Sequence, residues 1–145
     1  MITATQFKRN IKWARMKNNM ITIKTKSSLS ADEITVFLKN KNFEYPKGFI
    51  EFYRLSNGAT LTGENVYVDL WPLTEMISLN KNYEVDKYAP AFFIFGSDGG
   101  GTAYCIEKKT SYIYDMQFIG MPDDATFICK SFNEFVQNPL LRRKL

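Results

Sequence analysis

Histidine is absent from all 145 residues. No Ser-His-Asp or Cys-His nucleophile can therefore be assembled, nor any His-ligated zinc site. Cysteine is nearly as scarce: Cys105 and Cys129 are the only two, too few for a four-thiolate metal site. Each lies in an apolar, strand-like run, TAYCIE or TFIC, where a free thiol behaves as a small buried hydrophobe. Long apolar stretches are missing as well. No segment approaches the roughly 20 residues needed to span a bilayer, and the opening MITATQFKRN lacks the apolar run of a secretory signal. The expectation is a cytoplasmic protein with reduced thiols, no bound cofactor and no membrane association.

Acidic residues are missing from the first 26 positions, which carry Lys8, Arg9, Lys12, Arg15, Lys17, Lys24 and Lys26. From Ser27 to Asn138 the balance reverses, with 9 basic and 15 acidic residues, and the tail ends in Arg142, Arg143 and Lys144. The net charge of +4 thus describes two basic ends around an acidic body. Such a body attracts basic partners, and its long-range field speeds encounter and selects among them.

What is present suits one soluble domain. A chain of 145 residues, 45% hydrophobic and 23% charged, buries a core without metal or disulfide staples. The aromatic share of 15% is high, and core filling accounts for most of the 12 Phe and 8 Tyr.

The stretch from Ala91 to Phe118 organises the rest. AFFIFG is uncharged and bulky, which suits a strand covered on both faces at the centre of a sheet. Thr102 to Glu107 and Tyr112 to Phe118 alternate instead, with Tyr112, Tyr114, Met116 and Phe118 on one side and Ile113, Asp115 and Gln117 on the other. They read as antiparallel neighbours with one wetter face. Upstream, Gln6 to Asn18 is a basic helix with a poor apolar stripe. It reads either as an arm packed over the acidic body or as a partner-binding arm, with nucleic acid the smallest share. MITIKT is a short edge strand.

Ser30 and Glu33 form a capping box opening a helix to about Asn40, with Leu29 and Ile34 placed to staple its entry. Pro46 opens a second helix carrying Phe49, Phe52 and Tyr53, which Asn57-Gly58 ends. VYVDLW is a strand stopped by Pro72, Leu73 to Leu79 a short helical turn, and Asn80 to Tyr88 a loop or frayed helix. Met121 to Asp124 is a turn, Thr126 to Cys129 a strand, and Ser131 with Glu134 caps a last helix bearing Phe132, Phe135 and Val136 that Pro139 ends or bends.

Three features could carry chemistry. The loop Ser97-Asp98-Gly99-Gly100-Gly101 offers adjacent glycine amides, an anion-binding nest. Phosphate loops lead into a helix, however, and here a strand follows, with Asp98 repelling an anion; a tight connection with Asp98 bonded to backbone amides fits better. Asp98, Asp115, Asp123 and Asp124 would serve glycoside hydrolysis or Mg²⁺ only if they converge, and adjacent acids in a turn are usually solvated. Lastly, Glu64, Tyr67, Asp69, Asp98, Tyr112, Tyr114 and Asp115 read equally as a partner-binding surface or as half-buried strand residues with wet tips.

Together these residues resemble the SUKH superfamily, which includes the fungal Smi/Knr-type cell-wall assembly (glucan synthesis) regulators and many bacterial immunity proteins. Three segments carry the resemblance, spread from about Ser30 to Val136. Tyr45-Pro46 leads to Phe49, Phe52, Tyr53 and Asn57-Gly58; Phe95-Gly96-Ser97-Asp98 continues into Gly99, Gly100 and Gly101; and Ser131-Phe132-Asn133-Glu134-Phe135 closes. Tyr45 stands where the family pattern has Leu, and the basic first 26 residues match no family element. The resemblance implies a single α+β domain over residues 27–145; the basic residues 1–26 before it are read, from their own pattern, as a helical arm. Its sheet would be mixed, mostly antiparallel, of about five or six strands with helices packed around it. The resemblance also implies no enzymatic activity and no cofactor. The implied job is protein–protein interaction: an immunity protein neutralising a cognate, basic toxin such as a nuclease in the cytoplasm, or a regulator of glucan synthesis. Oligomeric state is left open.

Overall fold

The computed structural model describes residues 22–39, 42–63 and 65–137. The helix expected over Gln6 to Asn18, the first residues of MITIKT, Asn40, Glu64, Pro139 and the basic tail lie outside the described residues.

Seven strands form one sheet in chain order: β1 (Thr22–Thr25), β2 (Ala59–Gly63), β3 (Val66–Leu70), β4 (Phe92–Ser97), β5 (Thr102–Glu107), β6 (Ile113–Gln117) and β7 (Thr126–Cys129). Each is antiparallel to its neighbour, so the sheet is a meander and not mixed. The count exceeds the expected five or six because ATLTG, small and weakly patterned, is a strand that pairs with both β1 and β3. The uncharged run does take the middle position, with three strands on either side of β4.

Five helices pack on this sheet: α1 (Ala31–Lys39), α2 (Phe49–Leu55), α3 (Leu73–Asn82), α4 (Val85–Tyr88) and α5 (Phe132–Gln137). The capping box at α1 forms as expected, with the Ser30 N–H donating to Glu33 Oε1 at 3.2 Å and the Glu33 N–H to Ser30 Oγ at 3.1 Å. Among the described residues, no helix is long and apolar enough to cross a membrane.

Two boundaries differ from expectation. α2 opens at Phe49 and not at Pro46, because Gly48 holds φ +91° immediately before it, outside the right-handed helical region. Its last residue is Leu55, and Ser56 closes it in extended conformation with its N–H on the Phe52 carbonyl. Asn57-Gly58 therefore does not cap α2. Instead the Asn57 side chain accepts from the N–H of Leu73 at 2.6 Å, satisfying a first-turn donor of α3. α3 itself runs to Asn82, and α4 follows where a loop or frayed helix was expected.

One face of the sheet is an aromatic layer. Phe93 meets Phe37 of α1, while Phe95 meets Phe49 of α2 and Phe132 and Phe135 of α5, with ring centroids 5.2–6.3 Å apart. On the other face Trp71, Tyr83 and Phe118 stack, Tyr83 and Phe118 at 4.5 Å. Coverage of both faces explains why β5 is buried from Thr102 to Ile106, where one wetter face was expected. It explains equally why Ile113 and Met116, on opposite sides of β6, are both buried. Cys105 and Cys129 are buried thiols that form no disulfide.

Candidate partner-binding cleft

β3 and β4 overlap by only two residue pairs, Asp69 with Ser97 and Leu70 with Gly96. They approach so closely there that a Cβ on Gly96 would stand 2.5 Å from the Asp69 carbonyl oxygen. The short overlap leaves each strand with a stretch of edge that the other does not cover.

The uncovered edge of β4 is sealed by its own surroundings. The Trp71 N–H donates to the Phe95 carbonyl at 3.0 Å. Beyond it the Asn80 side-chain amide acts as a strand would: its Nδ2 donates to the Ile94 carbonyl at 2.8 Å and its Oδ1 accepts from the Ile94 N–H at 2.9 Å. Those two backbone groups belong to a fully buried residue, so the pairing removes a substantial desolvation cost.

The uncovered edge of β3 is different. Because Trp71 points its N–H at β4, residues of the same parity, Asp69 and Tyr67, turn their backbone groups the same way, while Val66, Val68 and Leu70 face β2. Asp69 meets Ser97. Tyr67 has no backbone partner on that side among the described residues. In front of it lies a cleft of about 470 Å³, walled by Asn65, Tyr67 and Val68 on one side and by Asp98 and Tyr104 on the other.

Asp98 sits in this cleft as part of a built loop. Its Oδ1 accepts from the N–H of Gly100 at 2.8 Å and of Thr102 at 3.1 Å, and its own N–H donates to the Thr102 carbonyl at 3.1 Å. The amides of Gly100 and Thr102 thus hold a side-chain carboxylate of their own chain, which is the tight-connection reading of this loop. The Tyr67 ring, 47% exposed, lies against Gly99.

Of the seven candidate surface residues, the cleft gathers Tyr67 and Asp98, with half-buried Asp69 beside them on β3. Glu64 lies outside the described residues. Tyr112 and Tyr114 form a separate patch with Phe127, each ring 5.8 Å from it, three strands away from Tyr67. Asp115 pairs with Tyr104 across β5 and β6, so it faces the side opposite Tyr114. The carboxylates considered for catalysis do not share the cleft: Asp98 alone of the four lines it, and Asp124 Oδ1 accepts the Gln117 N–H at 3.0 Å. Among the described residues, no group of three His, Cys, Asp or Glu side chains is gathered that could hold a metal.

Charge is polarised along the strands. The loops 98–101 and 118–125 leave one end of the sheet and carry Asp98, Asp123 and Asp124 with no Lys or Arg. Lys108, Lys109 and Lys130 follow β5 and β7 at the other end, where Lys108 pairs with Asp86 at 3.4 Å. The acidic strand residues also act inward. Burial, and then the charge of Asp69, pushes the Tyr53 hydroxyl well above its ordinary range. Burial, and then Asp115 and Glu107, does the same to the Cys105 thiol.

Sequence reasoning missed Asn65, Tyr104 and the open backbone of Tyr67. A strand's own residues do not reveal how far its neighbour overlaps it, so no local signal marks that edge. For Asn80 a signal existed, since it stands four residues after Met76 on the same helical stripe.

The family model described as SMI1 / KNR4 family (SUKH-1) matches residues 28–138. No curated protein matches the chain. The matched span contains α1 to α5 and six of the seven strands, leaving β1 and the basic residues before it outside.

Proposed function

Because the chain belongs to the SMI1/KNR4 family (SUKH-1), we propose that it is a non-catalytic protein-binding domain of the immunity type. It neutralises a cognate basic toxin, such as a nuclease, in the cytoplasm by covering the toxin's active surface. The observation that carries this reading is the acidic end of the sheet, where the loops 98–101 and 118–125 hold three acids and no base beside a concave site. A nuclease that grips phosphates presents the complementary surface. In this reading residues 27–145 are the binding unit, and the basic residues 1–26 are an arm attached through β1.

Affinity capture from the source cells with the tagged full-length chain tests the proposal. Recovery of a basic nuclease or other toxin, whose activity the added protein suppresses, is the expected result. Repeated capture with no protein partner would overturn it. Recovery of envelope polysaccharide enzymes would move the reading to a scaffold of glucan synthesis.

A further inference from the structure

Most sheet edges in this fold are blunted. β1 carries Lys24 on its short outer strand, and the β6–β7 pairing shifts register between Ile113 and Tyr114, which interrupts the repeat that an added strand would need along β7. The free edge of β4 is taken by Asn80 and Trp71. Among the described residues, only the Val66–Val68 half of β3 combines regular pairing on its inner side with an open cleft on its outer side. There the Tyr67 N–H and C=O point together into the cleft, the pair an incoming antiparallel strand uses. The side chains around that edge are specific too. Asp98 supplies a carboxylate already fixed by two backbone donors, and the half-exposed Tyr67 ring offers a face over which a cation can sit.

We propose that the protein grips its partner by strand addition. An extended partner segment bearing a lysine or arginine pairs with the outer edge of β3 around Tyr67, and its cation lies against Asp98. The occupant is chosen by two requirements. Backbone groups at a sheet edge select another extended backbone, and the loops 98–101 and 118–125, which hold acids and no base, select a basic one. The inference rests on the protein-binding reading above and adds how the partner is held.

The test uses amide NMR of the full-length chain with a capped Thr-Lys-Val-Lys-Val-Thr peptide as probe. Saturable shifts are expected at Tyr67 and across Asp98 to Thr102, and slower hydrogen exchange at the Tyr67 amide. The same peptide with Glu for Lys should give none. Asp98→Asn keeps the acceptor for the loop amides and removes the charge, so affinity should fall at least about fivefold. Tyr67→Pro removes the ring and, from the backbone, only an outward N–H, which an edge position tolerates; it should abolish binding, whereas Tyr67→Ala, which loses the same ring but keeps that N–H, should lose no more than about tenfold. If Tyr67→Pro does not fold, a probe N-methylated on alternate residues makes the same comparison from the other side, and it should fail to bind. Shifts confined to β1 or β7, no shifts at millimolar peptide, or equal binding by the Pro and Ala variants would overturn strand addition. A captured partner that binds without moving these amides would sink this mode alone and leave the protein-binding reading standing. Probe binding as described with no partner ever captured would do the reverse.

Discussion

Asn80 holds the backbone of Ile94 in a gap that no strand fills, and its replacement is the sharpest single-residue test of the core. Asn80→Leu leaves a buried N–H and C=O unpaired and should cost about 2 kcal/mol in urea unfolding. A change within about 0.5 kcal/mol would show that the amide is not needed there. Gly58 is a second such position. Its φ of +93° is left-handed, and a Cβ would stand 2.5 Å from the Leu70 carbonyl oxygen, so Gly58→Val should cost about 2 kcal/mol or more. The glycine requirement was legible in Asn57-Gly58, but its cause was not. The strain arises against β3, a contact with a distant part of the chain, rather than from the end of α2.

Tyr53 and Cys105 are both held protonated by burial, with ordinary values of 10.0 and 9.0 raised in the fold. The unfolded chain therefore ionises first as pH rises. The stability these groups contribute is whole below pH about 9 and is lost progressively above it. Urea midpoints should fall between pH 9 and about 11, and Tyr53→Phe, which lacks the ionisable hydroxyl, should fall less steeply. Equal slopes for the two proteins would contradict this. The same substitution also removes the 2.7 Å bond from the Tyr53 hydroxyl to the Trp71 carbonyl, so its unfolding free energy at neutral pH should be lower by about 1 kcal/mol.

Among the elements, those marked by local chemistry were readable. Ser30 with Glu33 fixed where α1 begins, the uncharged run found the middle strand, and Pro72 ended β3. Asn57 shows where such reading stops. Its dipeptide looked like the end of one helix, yet its side chain caps the start of another 16 residues on. Asn57→Ala should therefore cost about 1 kcal/mol and loosen amide protection in the first turn of α3, not the last turn of α2. Protection lost at α2 instead would restore the simpler reading. The loss of a wet face on β5 has a different origin from the extra strand: the sheet is covered on both sides of β5, and alternation predicts a wet face only where one side meets water.

For the molecule as a whole, the acidic body was visible in the composition, but the segregation of its charge was not. Asp98 is far in the chain from the adjacent Asp123 and Asp124, and they reach one end of the sheet only because an antiparallel meander returns every second loop to the same side. Tyr67 and Asp98 were candidate surface residues from sequence, and the offset of β3 against β4 is what brings them together in a cleft. Tyr112 and Tyr114 had the same composition signal and lie elsewhere, since β4 and β5 stand between. If the acidic end recruits the partner, raising salt should slow association more than it speeds dissociation, a split that surface plasmon resonance resolves.

Hydrogen exchange on the full-length chain, free and bound to the partner it captures, tests most directly whether this end of the sheet is where partners are held. Slowed exchange concentrated in residues 65–69 and 97–102 is the predicted result. Slowing confined to the Tyr112, Tyr114 and Phe127 patch, with the cleft unchanged, would contradict it.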